Sequence, residues 1–196
     1  TDPPMMTEPP TIMMSRPVPG SIIITEFMVN PNGMNPQDGQ FIELTYIDFF
    51  TVNLEGCILN VDGQDYTLPP IELVGGMPAP IIVFGNNQNF PEYSLPGLTY
   101  DYEFSPPTNF SPNTAVVFTL SCDGNPTAIL EQTVGGTGFP TTVQGASMRL
   151  TVVCEDAGCA NTGSNWCDSV VDMSGIDPLG MNNIGTPGFA NSFCGL

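Results

Sequence analysis

Residues 21–29 read SIIITEFMV and residues 40–47 read QFIELTYI. Both runs are short, dominated by Ile, Val, Phe and Thr, and broken by a single glutamate, Glu26 in the first and Glu43 in the second. β-branched and aromatic residues in runs of this length, with no sustained 3.6-residue period, read as strands. The same texture recurs in GCILNV (56–61), QDYTL (64–68), APIIVFG (79–85), TAVVFTLSC (114–122), AILEQTV (128–134) and ASMRLTVV (146–153). Gly, Pro, Asn and Asp punctuate the runs, so the expected fold is an all-β sandwich. VDGQ (61–64) and CDGN (122–125) each place Asp-Gly where a tight hairpin needs positive φ. Two connections are long, residues 30–39 and residues 85–113, and loops of that size are functional or are packed down as a flap.

Six segments then fall into a recognisable order. IIITEFMVNP (22–31), GQFIEL (39–44), LEGCIL (54–59), SMRL (147–150), Trp166 and GTPGFAN (185–191) follow one another with the spacing of the lamin-tail domain, which the chain resembles over roughly residues 21–191. The resemblance implies an immunoglobulin-like β-sandwich of the kind that forms the globular tail of nuclear lamins and recurs in secreted and surface proteins of bacteria and archaea. It implies no catalysis at Glu26 or Glu43. The sequence departs from the family where Phe41 and Cys57 replace common tryptophans, in the long 85–113 stretch, and in its extra cysteines.

The chain has 196 residues, 41% of them hydrophobic, enough for one domain with a substantial core. Ahead of that domain the texture changes. TDPPMMTEPPTIMMSRPVPG (1–20) carries Pro3, Pro4, Pro9, Pro10, Pro17 and Pro19, which remove backbone donors and hold the chain extended. Met5, Met6, Ile12, Met13 and Met14 give this arm large apolar side chains that a solvated linker lacks. The expected division is an arm over 1–20 and a domain over 21–196 whose C-terminal segment is rich in cysteine. Twenty extended residues reach roughly 60 Å, whereas a domain of this size is about 40 Å across. The arm is long enough to cross a neighbouring subunit. Thr1 as first residue predicts removal of an initiator methionine or export signal.

Charge narrows the function. Twenty acidic residues face two basic ones, Arg16 and Arg149, with no Lys or His, for a net charge of −18. Nucleic acids and anionic membrane surfaces are gripped by Lys and Arg, so both are disfavoured as partners, and no apolar run is long enough to insert in a bilayer. Without His or Lys the chain has no catalytic triad and no histidine-ligated zinc. Carboxylate-only hydrolysis stays open, with Glu26 and Glu43 as the pair; the simpler reading puts them on the solvent face of adjacent strands or bonds them to local backbone groups. No enzymatic activity is expected.

Other side chains carry narrower expectations. Cys57, Cys122, Cys154, Cys159, Cys167 and Cys194 are even in number and lack neighbouring histidines, which predicts three disulfides with any of fifteen pairings. Structural calcium is the one cofactor the composition leaves open. Its candidates are Asp62 with Asp65, Asp123 with Asn125, Glu155 with Asp156, and the Asn30, Asn32, Asn35 and Asp38 loop, although turn formation explains Asp62 and Asp123 equally. Asn109 opens an NFS glycosylation sequon, and Trp166 belongs to the core or covers a disulfide. Arg149, in a strand among so many acids, should meet a carboxylate. These features suit a structural subunit of an extracellular filament or surface fibre that polymerises when the arm docks on a neighbouring copy. The alternative is a monomeric, surface-anchored adhesion or ligand-binding module, with the arm as its stalk and a carbohydrate or cell-surface partner.

Overall fold

The computed structural model describes residues 15–33, 35–87, 100–124, 127–154, 156–170 and 183–194. Among them the chain forms twelve strands and one four-residue α-helix, so the fold is all-β. In order the strands are β1 (Ile22–Met28), β2 (Phe41–Tyr46), β3 (Val52–Asn53), β4 (Ile58–Val61), β5 (Gln64–Thr67), β6 (Glu72–Leu73), β7 (Ile81–Gly85), β8 (Tyr102–Glu103), β9 (Val116–Ser121), β10 (Leu130–Val134), β11 (Met148–Leu150) and β12 (Trp166–Asp168), with α1 (Ala157–Ala160) before β12. One sheet has the order β12-β11-β1-β2-β7-β8, a second β10-β9-β4-β5, and β3 pairs with β6 in a small third.

The first two sheets share one core. Ile22, Ile24, Phe27, Ile42 and Leu44 from the six-stranded sheet join Leu59, Phe118, Leu120 and Leu130 from the four-stranded one. Phe27 packs edge-on against Phe110 and Phe118, with ring centroids 4.9 and 5.7 Å away, a geometry aromatic quadrupoles favour. A β-bulge decides which side chains enter this core. Strict alternation from Ile22 and Ile24 would send residue 26 inward, but the register shifts between Ile24 and Glu26. Thr25 is the extra residue, so Phe27 points into the core and Glu26 to the outer face of the sheet. The two sheets also meet at their margins. Above the bulge β1 has no strand partner on its β11 side among the described residues, and the buried Gln132 side chain of β10 takes that place, accepting from Ile24 N at 2.8 Å and donating to Ile24 O at 3.2 Å.

Turn chemistry acts as expected at VDGQ, where Val61 pairs with Gln64 and both Asp62 (φ 47°) and Gly63 (φ 88°) are left-handed. CDGN differs. Asp123 and Gly124 do take positive φ, yet β9 and β10 pair through Leu120 and Leu130, too far apart in sequence for a two-residue hairpin. ASMRLTVV gives only the three-residue β11, because residues 152 and 153 turn away toward Cys154. The described part of the 85–113 excursion is packed down. Asn86 Oδ1 accepts from Thr108 N and Oγ1, and Gln40 binds Phe110 through both Nε2 to O and Oε1 from N.

Candidate functional site

Register lines up three ionisable residues on the outer face of the six-stranded sheet. Arg149 of β11 is the partner of Glu26 on β1, and Glu26 the partner of Glu43 on β2. All three are at most 1% exposed, which corrects the expectation that the two glutamates lie on a solvent face. The cover is residues 183–194. Ile184 forms a parallel bridge with Ala146, its neighbours cross the sheet, and Cys194 closes the crossing through a disulfide to Cys167 on β12.

All four carboxylate oxygens are occupied. Glu26 Oε1 accepts from Ser147 Oγ and from Thr186 N at 2.8 Å, and Oε2 from Thr186 Oγ1 at 2.8 Å. Glu43 Oε1 accepts from Thr25 Oγ1 and Oε2 from Gly188 N, each at 2.8 Å. Asn191 Nδ2 donates to Thr25 O at 2.7 Å, so the bulge residue also receives the strap. The other half of the earlier reading, bonding to local backbone groups, is corrected too: the backbone donors are the amides of Thr186 and Gly188, 160 and 145 residues away in sequence, and the rest are hydroxyls. Four segments noted in the sequence, IIITEFMVNP, GQFIEL, SMRL and GTPGFAN, converge in this one layer.

Electrostatics follow from burial. Desolvation raises the Glu26 carboxyl above its ordinary range, opposed in part by its hydrogen bonds and by the charge of Arg149. Glu43 is pushed up to about 8, first by burial and then by the negative charge of Glu26. The pair keeps a proton into the neutral range. Glu43 can hold it while donating to Thr25 Oγ1, since that hydroxyl also lies 3.0 Å from Thr45 Oγ1. The arrangement is a latch closed by its own chain.

Arg149 corrects a second expectation. Its guanidinium donates to Ser192 Oγ at 2.6 Å and Phe193 O at 3.4 Å, with no carboxylate within 4 Å among the described residues. Strand geometry aims it at the strap, and Glu26 acts on it through the field alone. Arg16 has the carboxylate instead. Its Nε and Nη2 grip Asp123 at 2.9 and 2.8 Å, while Nη1 donates to Asn53 O and Glu55 O. Ser15 adds a parallel bridge to Val52, and Pro17 is buried. Residues 15–20, assigned to the arm, thus form a root fixed to their own domain. Met5, Met6, Ile12, Met13 and Met14 lie outside the described residues.

The cysteines pair as 57–122, 154–159 and 167–194. The first joins β4 to the end of β9 beneath the Arg16 clamp. Trp166 is core, its Nε1 donating to Ala160 O at 2.8 Å. The calcium candidates are engaged locally: Asp62 accepts from Val117 N, Asp65 from Asn60 Nδ2, Asp123 from Arg16, and Asp156 caps α1 through Cys159 N. Asn30 O, Asn32 and Asn35 O also take part in chain contacts. Asn125 and Glu155 lie outside the described residues, and Asn109 is exposed. Among the described residues no three His, Cys, Asp or Glu side chains converge in a way that would hold a metal.

Sequence reasoning missed a further feature, an apolar tip. Phe49, Phe50, Val74 and Met77 are 77, 70, 60 and 88% exposed on two loops that touch through their backbones. Its signal was the pair Phe49-Phe50 lying between two strand-like runs. No protein-family model matches the chain, and no curated protein matches it.

Proposed function

We propose that this protein is a structural subunit of an extracellular assembly, an immunoglobulin-like sandwich of lamin-tail type that polymerises when its N-terminal arm docks on the next copy. It performs no catalysis in this reading. The observation that carries it is the rooted arm. Four hydrogen bonds from Arg16 and the Ser15–Val52 bridge fix the point at which residues 1–14 join the domain. A stalk needs no such root, whereas a tether that sets the spacing of subunits does. Three disulfides suit an oxidising compartment. The convergence of four lamin-tail-like segments in the latch layer supports the family reading, and the occupied carboxylates support the absence of chemistry.

A head-to-tail contact of this kind propagates into a fibre unless it closes. Deleting residues 1–14, or substituting Ile12→Asp, Met13→Asp and Met14→Asp, should leave a folded monomer in sedimentation velocity and remove fibres from negative-stain images. Normal fibres from the truncated chain would refute the tether. A monomeric intact chain would favour the stalk and adhesion reading.

A further inference from the structure

Phe49 and Phe50 sit in the β2–β3 loop, Val74 and Met77 in the β6–β7 loop. Exposed apolar side chains scattered singly are ordinary, but four large ones on two touching loops mark an interaction site. The loops are built to hold them there. Gly75 has no Cβ because one would lie 2.5 Å from Asp48 O and Phe49 C and 2.7 Å from Phe50 N. Gly76 N donates to Asp48 O, Tyr46 Oη to Phe50 O at 2.8 Å, and Phe49 N to Asp48 Oδ1 at 2.7 Å. Both rings are thus presented on a fixed backbone, which lowers the ordering cost of binding.

We infer that this tip is the seat for residues 1–14 of a second copy, with Met5 and Met6 set against Phe49 and Phe50. The inference rests on the assembly reading above and names the surface that receives the arm. Three observations select this occupant. The first is chemical: the arm carries five large apolar side chains, four of them methionines, and thioether sulfur packs favourably against aromatic rings. The second is electrostatic. Residues 1–14 hold only Asp2 and Glu8, and Asp48 is the sole charge in residues 47–51 and 74–78, so little repulsion opposes contact. The third is geometric. The root lies at Val52, where β3 begins, two residues from Phe50. An extended chain at about 3.1 Å per residue would let Met6 reach up to about 28 Å from Ser15. That reach is enough to meet the tip of a neighbouring copy.

The test uses the full chain carrying Phe50→p-benzoylphenylalanine. Nitrogen-14 and nitrogen-15 preparations are mixed under assembling conditions, irradiated, digested with pepsin and read by mass spectrometry. Cross-links from position 50 to residues 1–14 that join the two isotopes are expected. In parallel, F49S/F50S should raise the critical concentration for assembly at least tenfold with an unchanged thermal midpoint, since both side chains are largely in solvent. Cross-links confined to one isotope would mean that the arm covers its own tip, and would overturn the inference. So would normal assembly of F49S/F50S where the Ile12, Met13, Met14 variant fails, an outcome that leaves the tether standing. A monomeric wild-type chain would remove both.

Discussion

Glu43 is held between opposing demands. Its oxygens are needed by Thr25 and by the amide of Gly188, while burial beside Glu26 disfavours its charge. A carboxyl whose folded pKa is raised from 4.5 to about 8 binds its proton more tightly folded than unfolded. Stability from this group is fully present below the unfolded value and is lost as pH rises through the folded one. The thermal midpoint should therefore fall between pH 5 and pH 8, opposite to the trend of a salt-bridged carboxylate. Glu43→Gln mimics the protonated form, its amide donating to Thr25 Oγ1 and its carbonyl accepting from Gly188. The variant should lie within about 1 kcal/mol of wild type at pH 5 and exceed it at pH 8 by roughly 4 kcal/mol, since one pKa unit is worth about 1.4 kcal/mol and the shift runs from 4.5 to about 8. Calorimetry at pH 5, 6.5 and 8 measures this, and a midpoint that rises toward pH 8 in wild type would contradict the buried pair.

Among elements, the strap over 183–194 covers the outer face of the six-stranded sheet at Glu26, Glu43 and Arg149. It is held by the bridge at Ile184, the bonds to Glu26 and Glu43, those from Arg149 to Ser192 and Phe193, that from Asn191 to Thr25 O, and the Cys167–Cys194 disulfide. Closing a loop with a sequence separation of 27 is worth about 3.5 kcal/mol in the chain-entropy account. Cys167→Ser with Cys194→Ser should raise hydrogen exchange at the Thr186 and Gly188 amides by about ten- to a few hundred-fold. It should also open Arg149 to trypsin. The native chain should resist that protease, because Arg16 precedes Pro17 and Arg149 is buried between β1 and β12. Unchanged amide protection would show that the noncovalent contacts hold the strap without the disulfide. This layer also marks where sequence reading stopped. Runs of β-branched and aromatic residues announced β1, β2, β4, β5, β7, β9 and β10, and ASMRLTVV announced β11 over part of its length, since strand texture is local. The two-residue strands β3, β6 and β8 carry too little pattern to be seen. Glu26 and Glu43 read as solvent-facing because their cover comes from about 150 residues away, and a period of two reports which face a side chain takes, not what lies over it.

For the whole molecule, charge constrains how copies can meet. Its two basic side chains are both spent internally, Arg16 on Asp123 and Arg149 on the strap beneath the surface. With twenty acidic residues and no lysine or histidine, no basic side chain remains to form an ion pair between subunits. In the assembly proposed above, contact between copies then rests on apolar burial and backbone pairing, against a like-charge repulsion between subunit surfaces. Repulsion between exposed charges is screened over about 30 Å at 0.01 M salt but over about 8 Å at 0.15 M, whereas apolar burial is not weakened by salt in this range. Each methionine seated in the contact supplies about 1.5–3 kcal/mol if fully buried. Assembly should therefore strengthen as salt rises from 0.01 to 0.15 M, with light-scattering mass growing and critical concentration falling, the reverse of an interface built on salt bridges. Sedimentation of the full chain across that range decides it: oligomers that dissolve on adding salt would mean that charge pairing holds the copies together, and the apolar tether would have to be abandoned.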